Sequence, residues 1–381
     1  MLFRVNSEAL QIVKLTEEWS RILENNNQGS ITQTWHWSKT WIDVYGKERN
    51  LHTLCAYEDG KLCGIAPLAV SKYPVKHFGI LDYRTMWFLG SGRTRARGVL
   101  SDYLDFIIEK GKEEEFMAGF VEYIKNYPDW DEIILENVSC ESLSPELLIK
   151  YCSKCGLMCE IVSRVPSILI KLPKTWESFL GSISSGLRYK IKRGREEFDR
   201  LGGVYILIKD EKELDDAFKD LETLHRDRWK SKGEPGAFAS EEWKIFHARL
   251  MKSIFREGWL KLCFLKLNGI PLAANYNFAY KKKIHYFQSG MVSHENKHIR
   301  PGLLLHSFCI EEAINEGFEE YDFLQAGGKG AGYKDIWGNY SRDLLRIRIS
   351  RNSGKEKIYR ILSKGLNGVK RAKAWIDGLP F

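Results

Sequence analysis

With 381 residues, 44% of them hydrophobic, the chain has enough material for two domains or one large one with a generous core, and too much apolar content for intrinsic disorder. Its longest apolar runs fall short of a membrane span and its first residues form no secretory signal, so a cytoplasmic location is expected. The net charge of +8 is modest but uneven: basic residues gather at 188–200 and 355–373, which suits an anionic partner such as a nucleotide, a phosphate-bearing carrier or a membrane surface.

In chain order, helices are expected at 16–25, with Thr16 as N-cap, and at 34–45. A hairpin follows over 51–70, turned by Asp59-Gly60, which tolerate positive φ. Helices near 113–126 and 144–155 flank a strand at 132–136. A strand at 167–172 leads into a basic helix stopped by Gly202-Gly203, then a strand at 204–209 and helices at 211–229 and 240–257. Three strands at 259–267, 272–280 and 283–290 form a meander, with Asn268-Gly269 as its first turn. A helix opens at Pro301-Gly302, followed by a strand at 321–324, a glycine-rich loop and a strand at 344–350. The last strand–helix–strand step must be a parallel crossover, whose helix starts at the carboxyl end of a strand, where ligands usually bind. Aligned by their turns, CAYEDGKLCGIAPL and FLKLNGIPLAANYN suggest that one α/β unit is duplicated.

Pro301 fits the first turn of a helix, and Gly302 lets a ligand approach the backbone. The free amides and the helix dipole then make an anion site, with Arg300 beside it. No metal is expected. Cys152, Cys155 and Cys159 cluster without a second ligand pair, and the HExxH of His294–His298 has no apolar helical flank before it. GGKGAG is not a Walker loop, because no Ser or Thr follows its lysine.

The stretch LKLNGIPLAANYNFAYKKKIHYFQSG, followed by RPGLLL, YDFL and YKDIW, resembles the CelD-type acetyltransferase-like family of the GNAT superfamily, akin to FemAB-type transferases. The segments LRYKIKRGREEFDRLGG and LHRDRW also fit, as do the spaced Trp35, Trp37 and Trp41, GIAPL and SDYLDF. The chain departs from the family where Arg300 replaces the usual serine before Pro-Gly, and where a longer glycine-rich loop follows YDFL. The resemblance implies an α/β fold with mixed sheets, built as two tandem GNAT-like domains of which the second is more complete. The expected divisions are 1–165, 166–350 and a basic amphipathic tail at 351–381.

The implied chemistry is acyl transfer from an acyl-CoA, acetyl-CoA in the first instance, used as a co-substrate and not permanently bound. The acceptor would be a sugar, a polysaccharide precursor or a similar polar metabolite, small or carrier-linked, attacking the thioester directly through N or O. Carried onto this sequence, Gln288, Ser289 and Gly290 would line the thioester, and Arg300, Pro301 and Gly302 would hold phosphates.

Tyr333 is a candidate proton donor and Lys334 a candidate for neutralising charge; the alternative is that the first packs and the second is solvated. His225 and Asp227 are candidate bases on a helix, with Asp322 and His285 as further candidates. Asp102, Tyr103 and Asp105, after Gly90-Ser91-Gly92, would face an acceptor between the domains. Arg188, Lys192 and Arg195 recur at helical spacing as a basic stripe for an anionic acceptor or cofactor. The tail can rest weakly on an anionic membrane or dock on the domain. No nucleic-acid partner is expected. Two other readings remain: FemAB-like aminoacyl-tRNA-dependent transfer to a peptidoglycan precursor, and a non-catalytic nucleotide-binding assembly factor.

Overall fold

The computed structural model describes residues 1–26, 29–91, 101–326 and 332–364. The first half begins with β1 (Leu2–Asn6), α1 (Ala9–Val13), α2 (Thr16–Glu24) and α3 (Trp35–Tyr45). A hairpin of β2 (Arg49–Glu58) and β3 (Lys61–Ser71) leads to a two-stranded ribbon, β4 (Val75–His77) and β5 (Leu81–Tyr83). Then come β6 (Thr85–Phe88), β7 (Ile107–Ile108), α4 (Glu113–Asn126), β8 (Glu132–Ser139), α5 (Ser144–Lys154) and β9 (Leu157–Lys171). The second half runs through α6 (Trp176–Ser182), α7 (Ser185–Arg200), β10 (Gly203–Leu207), α8 (Leu214–Lys230) and α9 (Glu241–Arg256). It continues with the meander β11 (Leu260–Leu267), β12 (Ile270–Tyr280) and β13 (Lys283–Met291), then α10 (Pro301–Asn315), β14 (Glu320–Gln325), α11 (Gly332–Asp335) and β15 (Tyr340–Arg351).

Local chemistry sets the turns and caps. Asp59 and Gly60 both have positive φ, 49° and 80°, as do Asn268 and Gly269 at 51° and 80°, the signature of tight hairpin turns that match strand twist. Thr34 caps α3 by accepting the Trp37 amide, and Ser184 caps α7 by accepting the Leu187 amide. Thr16, expected as a cap, is instead the first residue of α2; Leu15 holds the cap position, and the Thr16 hydroxyl donates to the Val13 carbonyl at 2.6 Å.

Among the described residues, 13 strands form one sheet, in the order β1-β2-β3-β6-β8-β15-β9-β14-β13-β12-β11-β10, with β7 paired to β3. Read inward from its two edges, the sheet has the same plan: an edge strand, an antiparallel hairpin, a fourth strand, and a fifth parallel to the fourth. Mixed α/β architecture with a large mixed sheet is therefore the fold.

At the centre the halves exchange strands. β15, the last strand, pairs with β8 of the first half, while β9 pairs with β14 of the second, and β9 and β15 run antiparallel along most of their length. Position 165/166 falls inside β9. Breaking the β9–β15 ladder would uncover strand edges in both halves, so neither sheet is complete without the other.

The core is shared as well. α2 and α3 from the first half and α8 and α9 from the second bury their apolar faces together. Trp37, fully buried, lies edge-on to Phe246 at 5.3 Å and Phe278 at 5.7 Å, and its indole N–H donates to Ser101 Oγ at 3.0 Å. A helix over 354–364 docks through Glu356, which with Glu132 sandwiches the buried Arg348 guanidinium at 2.7–2.8 Å. The tail from 365 onward lies outside the described residues. No helix among the described residues is long and apolar enough to cross a membrane.

Candidate functional site

The site is built where two parallel strands part. β13 and β14 pair at Lys283–Glu320, Ile284–Tyr321 and His285–Asp322, and among the described residues the ladder ends there. A register shift between Tyr276 and Asn277 of β12, opposite Tyr286 and Gln288 of β13, bends the strand away at that point. A cavity of about 830 Å³ opens there. Its wall comes from the end of α8 (Asp227, Arg228), from β13 and its exit (Tyr286, Met291, Val292), from the start of α10 (Arg300, Pro301, Gly302), and from Tyr333 and Trp337.

The start of α10 carries the electrostatics. Arg300 sits at the cap in extended conformation without a side-chain cap bond, Pro301 takes the first position, and no acidic residue enters the first turn. The Gly302 and Leu303 amides are left without intrahelical acceptors, so the positive end of the helix dipole is not neutralised from within the helix. At Gly302 a Cβ would lie 2.6 Å from Met291 Cε, the far end of a flexible side chain on the facing wall. The close approach keeps this mouth narrow and bare of side chain.

A chain of polar groups lines the opposite wall. Arg228 Nη1 donates to Ser289 Oγ at 3.1 Å, and Ser289 Oγ shares a 2.6 Å hydrogen bond with the Tyr286 hydroxyl. Burial, followed by the neighbouring Tyr286, raises the Tyr333 phenol far above its ordinary value, so it keeps its proton at neutral pH. His306, also on the wall, is hydrogen-bonded through Nδ1 to the Tyr321 hydroxyl at 3.0 Å. Burial first, then Arg228 and Lys334, lower its imidazole to about 3, which leaves it neutral. The arrangement offers backbone donors and a cation at the mouth, and the Tyr333 phenol, which keeps its proton, deeper in.

The structure brings together Asp227, Arg300, Pro301, Gly302 and Tyr333 in this wall and places the other sequence candidates around it. His225 is buried behind the wall, with its ring 4.8 Å from Phe238, and burial lowers it to about 4. A Cβ on Gly290 would come within 2.4 Å of the His225 amide nitrogen, so this glycine lets α8 press onto β13 instead of facing the cavity. The Gln288 side chain accepts its neighbour's amide, Ser289, at 3.0 Å, and Ser289 meets the cavity only through Arg228 and Tyr286. Lys334 is drawn inward: its ammonium donates to the carbonyls of Phe323 at 2.6 Å and of Gln325, clamping the end of β14, where Leu324 has φ 59°. Burial lowers its pKa.

Asp102 and Tyr103 join the halves. Asp102 accepts the Gln325 backbone amide at 3.0 Å and its side-chain amide at 2.9 Å, and burial pushes its carboxyl up to about 6. The Tyr103 hydroxyl donates to Asp322, which also accepts from Ser167 at 2.8 Å and from the Leu324 amide at 2.7 Å. Tyr103 and Asp105 border a second cavity of about 300 Å³ between the halves, with Lys283, His285 and Arg342. Asp105 holds the Phe106 amide at 2.8 Å and the Ser142 hydroxyl.

The basic stripe on α7 is divided among different tasks. Arg188 donates to the Gly181 and Ile183 carbonyls at 3.3 and 3.2 Å, closing the end of α6. Arg195 lies between the rings of Trp176 and Phe308 and donates to Ser307 at 3.0 Å and to Glu311. Lys192 is exposed. None of the three lines the large cavity.

His294 and His298 sit in the loop before α10, and among the described residues no cluster of metal-ligating side chains forms. Gly92 and most of the glycine-rich loop, 327–331, lie outside the described residues, although Gly332 reaches the cavity. Sequence reasoning missed Arg228, Tyr286 and His306. Arg228 was within reach, as a cation in the last turn of the helix that already supplied His225 and Asp227.

Residues 185–335 match the acetyltransferase (GNAT) domain family. No curated relative matches the chain. Among solved structures, FemX superposes with a TM-score of 0.63 at 13% identity, over 95% of this chain and 99% of that one. A conserved protein of unknown function from Bacteroides thetaiotaomicron gives 0.57 at 8% identity, over 92% of this chain and 100% of the other. The C-terminal domain of a putative lysylphosphatidylglycerol synthetase from Agrobacterium fabrum gives 0.51 at 10% identity, over 94% and 97%. At such identities the likeness is one of fold, and it spans both halves.

Proposed function

We propose that the protein is an acyltransferase that takes its acyl group from an acyl-CoA, acetyl-CoA being the simplest, and passes it to a sugar, a polysaccharide precursor or a similar polar acceptor. The observation that carries this reading is the bare α10 start, with Arg300 at its cap, opening into a cavity inside the segment that matches the GNAT domain. A pyrophosphate would rest on the Gly302 and Leu303 amides, and the thioester arm would run between β13 and β14. Tyr333 would protonate the leaving thiolate while Arg228 and Tyr286 orient the acyl carbonyl. Direct attack by the acceptor forms the new N–C or O–C bond as the C–S bond breaks, and the acceptor's proton, lost to solvent, balances the one Tyr333 gives the thiolate and regains. No covalent enzyme intermediate is needed, so rate would come from positioning and electrostatics.

In this reading residues 166–350 hold the donor. Residues 1–165 contribute Tyr103 and Asp105 to an acceptor cleft at the junction, and the segment from 351 gives at most weak membrane contact. A panel of acyl-CoAs in thermal unfolding tests the core claim, since a ligand of the folded state raises Tm. No shift at millimolar acyl-CoA would sink it. A second reading, aminoacyl transfer from a charged tRNA, draws on the match to FemX across nearly the whole of both chains. It predicts a Tm shift with aminoacyl-tRNA and none with acyl-CoA.

A further inference from the structure

Beside the large cavity lies a smaller one of about 200 Å³, lined by Tyr189, Lys190 and Arg193 of α7 and by Lys297, His298 and Arg300 of the loop before α10. Arg300 borders both cavities. We infer that this notch holds the 3′-phosphorylated ribose of the donor nucleotide, making the enzyme selective for coenzyme A over its 3′-dephospho form. The inference rests on the acyl-CoA reading above and adds to it a subsite on residues outside the cavity wall.

Charge balance is the first argument. Arg193 is committed to Glu197 at 2.6 Å and to Glu196 at 3.3 Å, and Arg200 shares Glu197 at 2.8 Å. Lys190, Lys297 and Arg300 have no carboxylate within ion-pair distance among the described residues. Three unneutralised cations around a small concavity are mutually repulsive, and a dianionic phosphate would relieve that repulsion.

The second argument is that the walls are held in place before any ligand arrives. α7 presses against the loop at Gly194, where a Cβ would meet the His298 carbonyl oxygen at 3.0 Å. Asn296 ties the loop to α7 through Glu197 at 3.3 Å, and its side chain accepts the His298 amide at 3.0 Å. Ile299 is buried between the two basic residues of the loop, Lys297 and Arg300. The cations therefore project from a fixed frame.

Reach is the third. Arg300 lines both concavities, so a ligand whose pyrophosphate sits at the start of α10 has the notch next to it as a space for its nucleoside. Tyr189 is 63% exposed at the notch and presents an aromatic face on which a purine can stack.

The test is calorimetric titration of the full chain with CoA and with 3′-dephospho-CoA, in the wild type and in the double variant Lys190→Gln/Lys297→Gln. The expected result is CoA bound about tenfold or more tightly than the dephospho form at low salt, with the gap narrowing as salt rises. In the double variant the two ligands should bind alike, at the wild-type affinity for dephospho-CoA. Equal binding of both by the wild type overturns the inference and leaves the acyl-CoA reading standing, as does discrimination that survives in the double variant. Binding of neither ligand, together with tRNA binding that the double variant loses, overturns both and assigns the notch to nucleic acid.

Discussion

The two halves share a strand plan, yet each treats the gap beyond its parallel pair differently. In the second half, β13 and β14 part after three paired residues and the space stays open as the large cavity. In the first half, β6 and β8 also pair over three residues, Thr85–Glu132 to Trp87–Ile134, but the chain takes up part of the space and leaves only the cavity of about 300 Å³ that Phe106, Ile108 and Glu113 border. Phe106 packs against Phe88 at 5.2 Å and Phe120 at 4.9 Å, and β7 adds Ile107 and Ile108 to the edge of β3. The helices after the fourth strands differ too. α4 has Glu113, Glu114 and Glu115 in its first turn, which neutralise its dipole, whereas α10 has none. A splayed parallel pair suits an anion best when the gap is left open and the helix end is left unneutralised. Here the second half keeps the larger cavity and the unneutralised helix end, and the first half keeps the smaller cavity and an acidic helix start.

The largest test is at the open cleft. Tyr333→Phe should lower kcat roughly 10²–10⁴-fold, the usual worth of a positioned proton donor, with donor Kd changed less than threefold. Unchanged kcat would remove the phenol from the chemistry. At the narrowed cleft, Phe106→Ala should cost about 3–5 kcal/mol in urea unfolding and create no donor site. A new CoA-binding event in that variant would mean that only the plug separates the halves.

Helix ends can be compared directly. Gly302→Glu should weaken donor binding roughly 100-fold by bulk and like charge, with Tm nearly unchanged because Met291 can swing aside. Glu113→Gln, which removes a charge from the first turn of α4, should leave donor binding untouched. Equal effects at the two positions would refute the division of labour.

The smallest expected effect lies at the junction. Asp102 has its folded pKa raised from 3.8 to about 6, so its stabilising contribution is whole below pH 3.8 and is lost as pH rises through 6. Asp102→Asn should remove that slope, narrowing its stability difference from wild type by about 1–3 kcal/mol between pH 4 and 7. Parallel stability–pH curves for the two proteins would show that the carboxyl ionises freely in the fold.

Legibility followed the physics of each signal. The meander, the two glycine turns and the crossover helix at Pro301 were readable because turn chemistry and apolar periodicity are local. β9 was seen only at its end, since its first part, LMCEIVSRV, mixes charges with apolar residues and borders a helix. β1, α1, α6 and the short β4–β7 strands carry too few residues for periodicity to mark them. Asp227 and Tyr333 emerged from their motifs and do line the cavity, whereas His225 and Lys334 emerged equally and point elsewhere. A motif names the residue and its element, but the direction of a side chain depends on what packs against it.

The sequence by itself determined a mixed α/β chain, the order of its second half and the residues that begin α10, because each follows from contacts a few residues apart. Only the tertiary structure decided that β9 and β15 trade places, that Phe106 narrows one cleft, and that Arg228, Tyr286 and His306 face the other. Those outcomes depend on which surfaces meet across more than a hundred residues of chain, and strand pairing and burial at that distance leave no periodic trace along the sequence.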